Sequence, residues 1–243
     1  MPPDEPPLPR FSVRTIGPEP SGATPLEEED LKGLIPDFVA TRADLNQVEF
    51  ENITKALAWA QQQAHSLGVE GILDYGFMLA LHRRMFGDVW TWAGTQRQRV
   101  TNIGVEPHLI ATQSRLLLDD AKYWHSQEVF GPDDLAARIH CRLVSVHPFR
   151  NGNGRCTRMM ADLYLTSIGA EPFTWGGANL DVDGSGRATY ISALIKAANT
   201  DEYVDLIQFA RGQVVWPRRS RPTPGRRPLP APNGAPTRPA DTS

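Results

Sequence analysis

A histidine, a glycine-containing turn and two arginines lie within twelve residues of one another, from position 147 to position 158. The histidine, His147, ends an apolar run that predicts a helix over 132–146, because Pro148 excludes the helical conformation at the residue before it. Gly152 and Gly154 predict a tight turn, and a second helical run follows at once. Backbone N–H groups at the start of that second helix can bind an anion, phosphate above all.

Arg155 and Arg158 lie three residues apart, so one face of the second helix presents both of them to an anion. His147 is the side chain of this stretch that can take a proton near neutral pH. A base, a turn suited to phosphate and two arginines together indicate phosphoryl or nucleotidyl transfer. The alternatives are a local hydrogen bond for His147 and a helix-capping or solvated role for the arginines.

The stretch from His147 to Arg158 resembles the signature His-Pro-Phe-x-x-Gly-Asn-Gly-Arg-x-x-Arg of the Fic (Fido) family. The resemblance implies transfer of AMP from ATP to a Ser, Thr or Tyr hydroxyl of a target protein, with His147 as the catalytic base. It implies a phosphate site formed by Gly152, Asn153, Gly154, Arg155 and Arg158. We expect Phe149 to anchor the loop against the core, and Asn153 to shape the loop or touch phosphate.

Asn151 departs from the family pattern, because AMP-transferring members carry Asp or Glu at this position to hold Mg²⁺. Asparagine offers one neutral carbonyl oxygen, so Asn151 is a candidate metal ligand that contributes no charge. The resemblance implies ATP as substrate and Mg²⁺ as cofactor. Two alternatives stay open: a Doc-like phosphotransferase, whose pattern differs at the position of Gly154, and a catalytically silent module that binds a nucleotide or a partner.

Glu51 is a candidate regulatory residue on the same resemblance. Many Fic proteins inhibit themselves with a glutamate of a Ser/Thr-x-x-x-Glu-Gly/Asn helix, which pairs with the second arginine of the signature. Here Glu51 and Asn52 match the end of that motif, whereas Gln47 stands where Ser or Thr is expected. The resemblance implies an ion pair between Glu51 and Arg158; an ordinary surface glutamate is the alternative.

The composition of the 243-residue chain, 40% hydrophobic and 22% charged, is typical of a globular protein with a core. The net charge is −3, but the segment from Pro217 onward has six arginines against Asp241, so the rest carries about −8. That charge argues against a folded domain that binds nucleic acid. Apolar runs are too short to span a membrane, and a signal peptide is not apparent, so we expect a cytoplasmic protein. Cys141 and Cys156 are expected to be free thiols.

The pattern predicts an all-α fold, a Fic-type helical bundle with one small β-hairpin flap over 95–107. Residues 1–23 are predicted to be a disordered Pro-rich arm, 24–213 a single Fic domain with N-terminal helices, and 214–243 a disordered basic tail. Thr41 predicts the cap of a long helix that Gly68 and Gly71 break. Further helices are predicted over 72–86, 107–125, 132–146, 156–168, 186–198 and 201–211.

The chain as a whole most resembles the Fic subfamily called mobile mystery protein B. Its members are typically encoded beside a small helix-turn-helix protein, so the resemblance implies a regulatory partner of that kind. His140 lies two helical turns before His147, and a packed or hydrogen-bonded role is favoured for it over a shared metal. The leading hypothesis is a cytoplasmic nucleotidyltransferase that uses ATP and Mg²⁺.

Overall fold

The computed structural model describes residue 16 and residues 25–177, 180 and 184–213. The predicted arm over 1–23, apart from Ile16, and the predicted tail over 214–243 lie outside the described residues. Within them the all-α class is confirmed. The α-helices are α1 (Glu28–Leu31), α2 (Arg42–Ile72), α3 (Tyr75–Phe86), α4 (Ile110–Ser126), α5 (Pro132–Val146), α6 (Asn153–Ser167), α7 (Ser185–Thr200) and α8 (Val204–Ala210). Short 3₁₀ turns occupy Pro107–Leu109 and Trp175–Gly177.

Helix α2 begins at the cap that the sequence predicts. The Thr41 hydroxyl accepts a hydrogen bond from the Asp44 amide at 3.1 Å, and the Asp44 carboxylate accepts one from the Thr41 amide at 2.9 Å. This reciprocal capping box satisfies two N–H groups that the first turn leaves without a helical partner. Gly68 has a φ of +59° and kinks the helix as predicted, but Gly71 does not break it, and the helix continues to Ile72.

Helices α5 and α6 form the centre of the fold. They pack against each other, with α2 and α3 beside α6, and α4, α7 and α8 beside α5. The fully buried side chains of these two helices include Leu135, Ile139, Leu143, Met160 and Tyr164. The segment 147–152, which we call the motif loop, joins these two helices and is therefore held at both ends by the core.

The hairpin predicted over 95–107, which we call the flap, does not form as paired strands. No residue of this segment has strand structure, although all of it is described. The Arg97 amide donates to the carbonyl of Pro148 at 2.9 Å, and the Val105 amide donates to the carbonyl of Val146 at 3.2 Å. Backbone groups that a hairpin would pair with each other are thus bonded to the motif loop and to the end of α5. In the described part of the chain, no helix has both the length and the hydropathy needed to cross a membrane.

Candidate active site

His147 lies at the C-terminal end of α5 and is almost fully buried, with 4% of its surface exposed. Its backbone is left-handed, with φ 57° and ψ 61°, which ends the helix at the residue before Pro148. Its ring atom Nδ1 lies 3.4 Å from the carbonyl oxygen of Val144. Since a carbonyl can only accept, Nδ1 donates, and the neutral ring carries its lone pair on Nε2.

The pKa of His147 is lowered from its ordinary value of 6.5 to about 4, mainly by burial and also by the charge of Arg97, against the raising effect of the Val144 carbonyl. The imidazole is therefore neutral at pH 7. A neutral imidazole can accept a proton, which is the requirement for a general base.

Asn153 holds the motif loop closed. The Phe149 amide donates to Oδ1 of Asn153 at 2.8 Å, and Nδ2 of Asn153 donates to the Phe149 carbonyl at 2.8 Å. The side-chain amide is thus engaged at both ends within the loop. Of the two roles proposed for Asn153, the structure shows a contact that shapes the loop. Phe149, which we expect to anchor the loop, is fully buried.

His82, on α3, is a part of the site that sequence reasoning missed. The Gly94 amide donates to Nδ1 of His82 at 2.9 Å, so Nε2 carries the proton and donates to the Asn151 carbonyl at 3.1 Å. The ring stacks on Phe149 with 3.7 Å between centroids. Burial lowers the pKa of His82 to about 3, so it is a neutral support for the loop. Its place four residues before Phe86, on the apolar face of α3, is the signal that it is buried.

The N-terminus of α6 follows Gly152, a position at which any other residue would be strained. Gly152 is the N-cap, has a φ of +76°, and would place a Cβ 2.7 Å from the ring of Phe86. It has no side chain to accept hydrogen bonds from the amides of the first turn, which is the arrangement that favours an anion there. Gly154, predicted as part of the turn, already lies in α6, where a Cβ would lie 3.3 Å from Nη1 of Arg158.

Arg155 is ion-paired with a buried glutamate on α2. Nη1 of Arg155 donates to Oε2 of Glu49 at 2.6 Å, and Nε1 of Trp90 donates to Oε1 of Glu49 at 2.6 Å. The guanidinium lies over the ring of Phe86, 4.9 Å from its centroid. The Glu49 side chain is 4% exposed and that of Arg155 is 18% exposed, so the pair is shielded from solvent. Glu49 is a second residue of the site that the sequence analysis did not single out.

Arg158 contacts a different part of the fold, although it shares α6 with Arg155. Its Nη1 lies 3.4 Å from the hydroxyl of Tyr190 on α7. The same hydroxyl lies 2.9 Å from Nε2 of His140, whose Nδ1 lies 3.0 Å from Oγ1 of Thr157. His140 is therefore a buried, hydrogen-bonded histidine, as favoured above. Arg155 is thus held by a residue of α2, and Arg158 contacts a residue of α7.

The predicted pair between Glu51 and Arg158 is not formed. Glu51 is exposed and accepts a hydrogen bond from Nε2 of Gln47 at 2.7 Å. Positions two residues apart on a helix differ by roughly 200° in direction, so Glu51 faces solvent when Glu49 faces the site. The glutamate that reaches the motif is Glu49, and it pairs with the first arginine rather than the second.

Asn151 uses its side-chain oxygen inside the loop. Oδ1 of Asn151 accepts from the Gly152 amide at 2.7 Å and from Nη2 of Arg155 at 3.4 Å. A neutral oxygen beside a guanidinium is a poor ligand for Mg²⁺, which prefers carboxylates. Among the described residues, no cluster of three His, Cys, Asp or Glu side chains could hold a metal ion. The residues present therefore do not fit a magnesium site built by the protein alone.

Asp30 of α1 contacts both the flap and the motif loop. Its buried carboxylate accepts hydrogen bonds from Nη2 of Arg99, in the flap, and from Nη1 of Arg150, in the motif loop, the latter at 3.5 Å. Its burial shows that the short N-terminal helix is part of the support of the site.

Residues 72–165 match the family model described as Fic/DOC family. The chain contains a Fic/DOC domain. The match includes the motif loop, α3 and most of α6, whereas Glu49 and Tyr190 contribute to the site from outside it. The match to the family thus extends well beyond the motif itself.

The Fic domain of this chain is similar to proteins named as adenylyltransferases. It is 33% identical over 100 residues to protein adenylyltransferase Fic of Drosophila grimshawi, covering 39% of this chain but 20% of that protein. It is 29% identical over 142 residues to the probable protein adenylyltransferase y4lH of Sinorhizobium fredii, covering 54% of this chain and 69% of that protein. The chain therefore spans about a fifth of the length of the first relative.

The fold is also that of a solved Fic structure. BepC from Bartonella tribocorum, determined with bound AMPPNP, superposes with a TM-score of 0.52 at 16% identity. The superposition covers 70% of this chain and 85% of that one. At this identity the likeness shows the Fic fold alone. It does not show the chemistry, which depends on the residues of the site.

Proposed function

We propose that this Fic domain moves AMP from ATP to a hydroxyl side chain of a target protein. The observation that carries the proposal is the position of His147, a buried imidazole whose pKa of about 4 keeps it neutral, at the entrance of the motif loop. The loop leads into the N-terminus of α6, where Gly152 leaves the first turn without a side-chain cap and Arg155 lies in that turn. A proton acceptor and an anion site joined by one short loop are the two parts that nucleotidyl transfer requires.

The proposed reaction is a displacement at the α-phosphorus of ATP. The oxygen of the target hydroxyl attacks that phosphorus while Nε2 of His147 takes the hydroxyl proton. The bond from the α-phosphorus to the bridging oxygen breaks, pyrophosphate leaves, and the target retains AMP as a phosphodiester. The amides of the first turn of α6, with Arg155 and Arg158, stabilise the charge on the phosphates. Magnesium enters this scheme as part of the ATP substrate, since Asn151 supplies no carboxylate.

The relatives support the proposal in two ways. Curated proteins at about 30% identity are named as protein adenylyltransferases. The Bartonella protein of the same fold binds an adenine nucleotide analogue, AMPPNP. We also propose a cytoplasmic location, and a small helix-turn-helix protein as a regulatory partner on the subfamily resemblance.

A catalytically silent nucleotide-binding module is the second candidate, and one observation favours it. Oδ1 of Asn151 is turned into the loop, toward the Gly152 amide and Arg155, at the position where active members carry a metal-binding acid. A domain without that acid could still bind ATP through α6. The two candidates therefore differ in transfer and not in binding.

Labelled ATP separates these candidates in one experiment. The protein is incubated with cell lysate and with ATP labelled on either the α- or the γ-phosphate, and labelled proteins are detected after gel electrophoresis. Label from the α-position supports AMP transfer. Label from the γ-position would instead support a Doc-like phosphotransferase, and ATP binding without transfer of either label would support the silent module.

A further inference from the structure

Arg97 of the flap is a fully buried arginine whose bonds go to main-chain carbonyls. Its Nε donates to the carbonyl of His147 at 2.6 Å. Its Nη1 donates to the carbonyl of Arg99 at 2.7 Å, and its Nη2 donates to the carbonyls of Val105 and, at 3.4 Å, Val146. Within the described residues, Arg97 forms no ion pair with a carboxylate. The guanidinium is thus satisfied by the backbone of the flap and of the end of α5.

The carbonyls of Val146 and of the C-cap residue His147 lie at the C-terminal end of α5. At this end a helix leaves its C=O groups without helical partners. The C-terminal end of a helix carries partial negative charge, so a buried cation is stabilised there. A buried guanidinium is costly unless its donors are satisfied, and the carbonyls of His147 and Val146 accept two of its hydrogen bonds. The burial of Arg97 is therefore linked to the conformation of these two residues.

His147 requires such a restraint because its backbone is left-handed, a conformation that is unfavourable for residues other than glycine. The flap lies directly on it at Gly104. A Cβ built on Gly104 would lie 2.6 Å from Nη2 of Arg97 and 2.6 Å from Cβ of His147. Gly104 thus allows the flap backbone to bring the guanidinium of Arg97 against the carbonyl of His147.

We infer that Arg97 is a positioning residue for His147: its guanidinium fixes the carbonyl of His147, and with it the direction of the imidazole, from the flap. The catalytic consequence of this inference rests on the proposed AMP transfer. Its structural part, the position of His147, rests on the geometry alone. Arg97 bonds to the backbone carbonyl of His147, so its effect on transfer acts through His147. The charge of Arg97 also lowers the pKa of His147, which helps to keep the imidazole neutral. The carboxylate of Glu106, at the end of the flap, raises the pKa of Arg97 against the lowering effect of burial.

The test compares Arg97→Met and Arg97→Lys with a matched control, Gln98→Met. Gln98 is an exposed flap residue next to Arg97, and its Nε2 donates to the carbonyl of Gln96 at 3.4 Å, within the flap. Each protein is checked by circular dichroism and then examined by two methods. Histidine NMR gives the pKa of His147, whose signal is identified by its loss in His147→Ala. Kinetics with α-labelled ATP give kcat and the KM for ATP.

We expect Arg97→Met to raise the pKa of His147 by roughly half a unit or more and to lower kcat by roughly tenfold to hundredfold, because a misplaced base loses its alignment. The KM for ATP should change by less than about twofold, since the phosphate site is elsewhere. Arg97→Lys should restore part of kcat, and Gln98→Met should leave both quantities as in the wild type. A folded Arg97→Met protein with wild-type kcat and an unchanged His147 pKa would overturn the inference.

Two further outcomes are decided by the same data. If Arg97→Met fails to fold, Gly104→Ala replaces it, because the added Cβ lies between Arg97 and His147, and the same shifts are expected of it. If the wild type transfers no AMP, the proposed function fails, and the NMR pKa values still decide the role of Arg97. A pKa of His147 that is equal in the wild type and in every folded Arg97 or Gly104 variant would refute that role.

Discussion

Glu49 and Arg155 form an ion pair that joins α2 to the first turn of α6, with 2.6 Å between Oε2 of Glu49 and Nη1 of Arg155. The two residues are 106 positions apart in the chain, and both are shielded from solvent. The pair brings a negative charge beside an arginine that we assign to phosphate binding. Stability and nucleotide affinity are therefore expected to respond in opposite directions when the glutamate is removed.

Glu49→Gln should lower the free energy of unfolding and tighten ATP binding. Removal of one partner from a buried pair costs roughly 3 kcal/mol, because the other charge is left unpaired. The same change frees Arg155 for phosphate and removes a repulsive charge. Urea unfolding and calorimetric titration with ATP measure the two effects. The matched control is Glu51→Gln, an exposed glutamate on the same helix, which should change neither. Weaker ATP binding by Glu49→Gln would contradict the assignment.

Arg155→Ala should weaken ATP binding when it is made in the Glu49→Gln protein, where no unpaired carboxylate is left behind. A charge-assisted phosphate contact contributes about 1.5–3 kcal/mol, so affinity should fall by roughly tenfold or more. Calorimetry on the single and the double variant gives the difference. Equal affinity in both would remove Arg155 from the phosphate site.

The sequence predicted the helices well where local signals decide their ends. The bounds 132–146 of α5 agree with the prediction because Pro132 suits the first turn and Pro148 ends the helix. The prediction of a hairpin over 95–107 was wrong because the Arg97 amide bonds to the Pro148 carbonyl and the Val105 amide bonds to the Val146 carbonyl, and no local pattern encodes that choice. Glu51 was chosen over Glu49 from a motif, whereas the burial of Glu49 depends on its contacts with Trp90 and Arg155.

His82→Gln should reduce the loss of stability at acid pH. The folded-state pKa of His82 is about 3, below its ordinary 6.5, so between these values the unfolded chain binds a proton that the folded protein does not. Stability therefore falls as pH decreases through this window, by about 1.4 kcal/mol per pH unit for each such histidine. Glutamine removes this contribution.

Urea unfolding of the wild type and His82→Gln at several pH values between 6 and 4 gives the two slopes. Asp162, whose pKa is raised to about 7 by burial, has the opposite effect but is common to both proteins and cancels in the comparison. His65→Gln makes the same substitution at an exposed position and serves as the control. Parallel curves for His82→Gln and the wild type would show that His82 does not titrate in this way.

Asn151→Asp should increase the rate of AMP transfer when Mg²⁺ is limiting, with a gain that shrinks toward saturation. The substitution adds a carboxylate with almost no change in size, at the N-terminus of α6 where negative charge is favoured. The measurement is initial rate against Mg²⁺ concentration. Asn153→Asp is the matched control, since it removes the donor to the Phe149 carbonyl and should cost stability without a Mg²⁺-dependent gain. A folded Asn151→Asp protein that is slower, or equal at every concentration, would assign position 151 to the loop alone.

His147 is the proposed base for transfer from a nucleotide bound at the start of α6. The most direct measurement is the initial rate of α-label transfer by the wild type and by His147→Ala, together with the calorimetric affinity of each for ATP. Because the imidazole removes the proton and the loop holds the phosphates, the variant should lose transfer by roughly a hundredfold or more. Its ATP affinity should stay within about twofold of the wild type. A His147→Ala protein that transfers AMP at the wild-type rate would contradict the account.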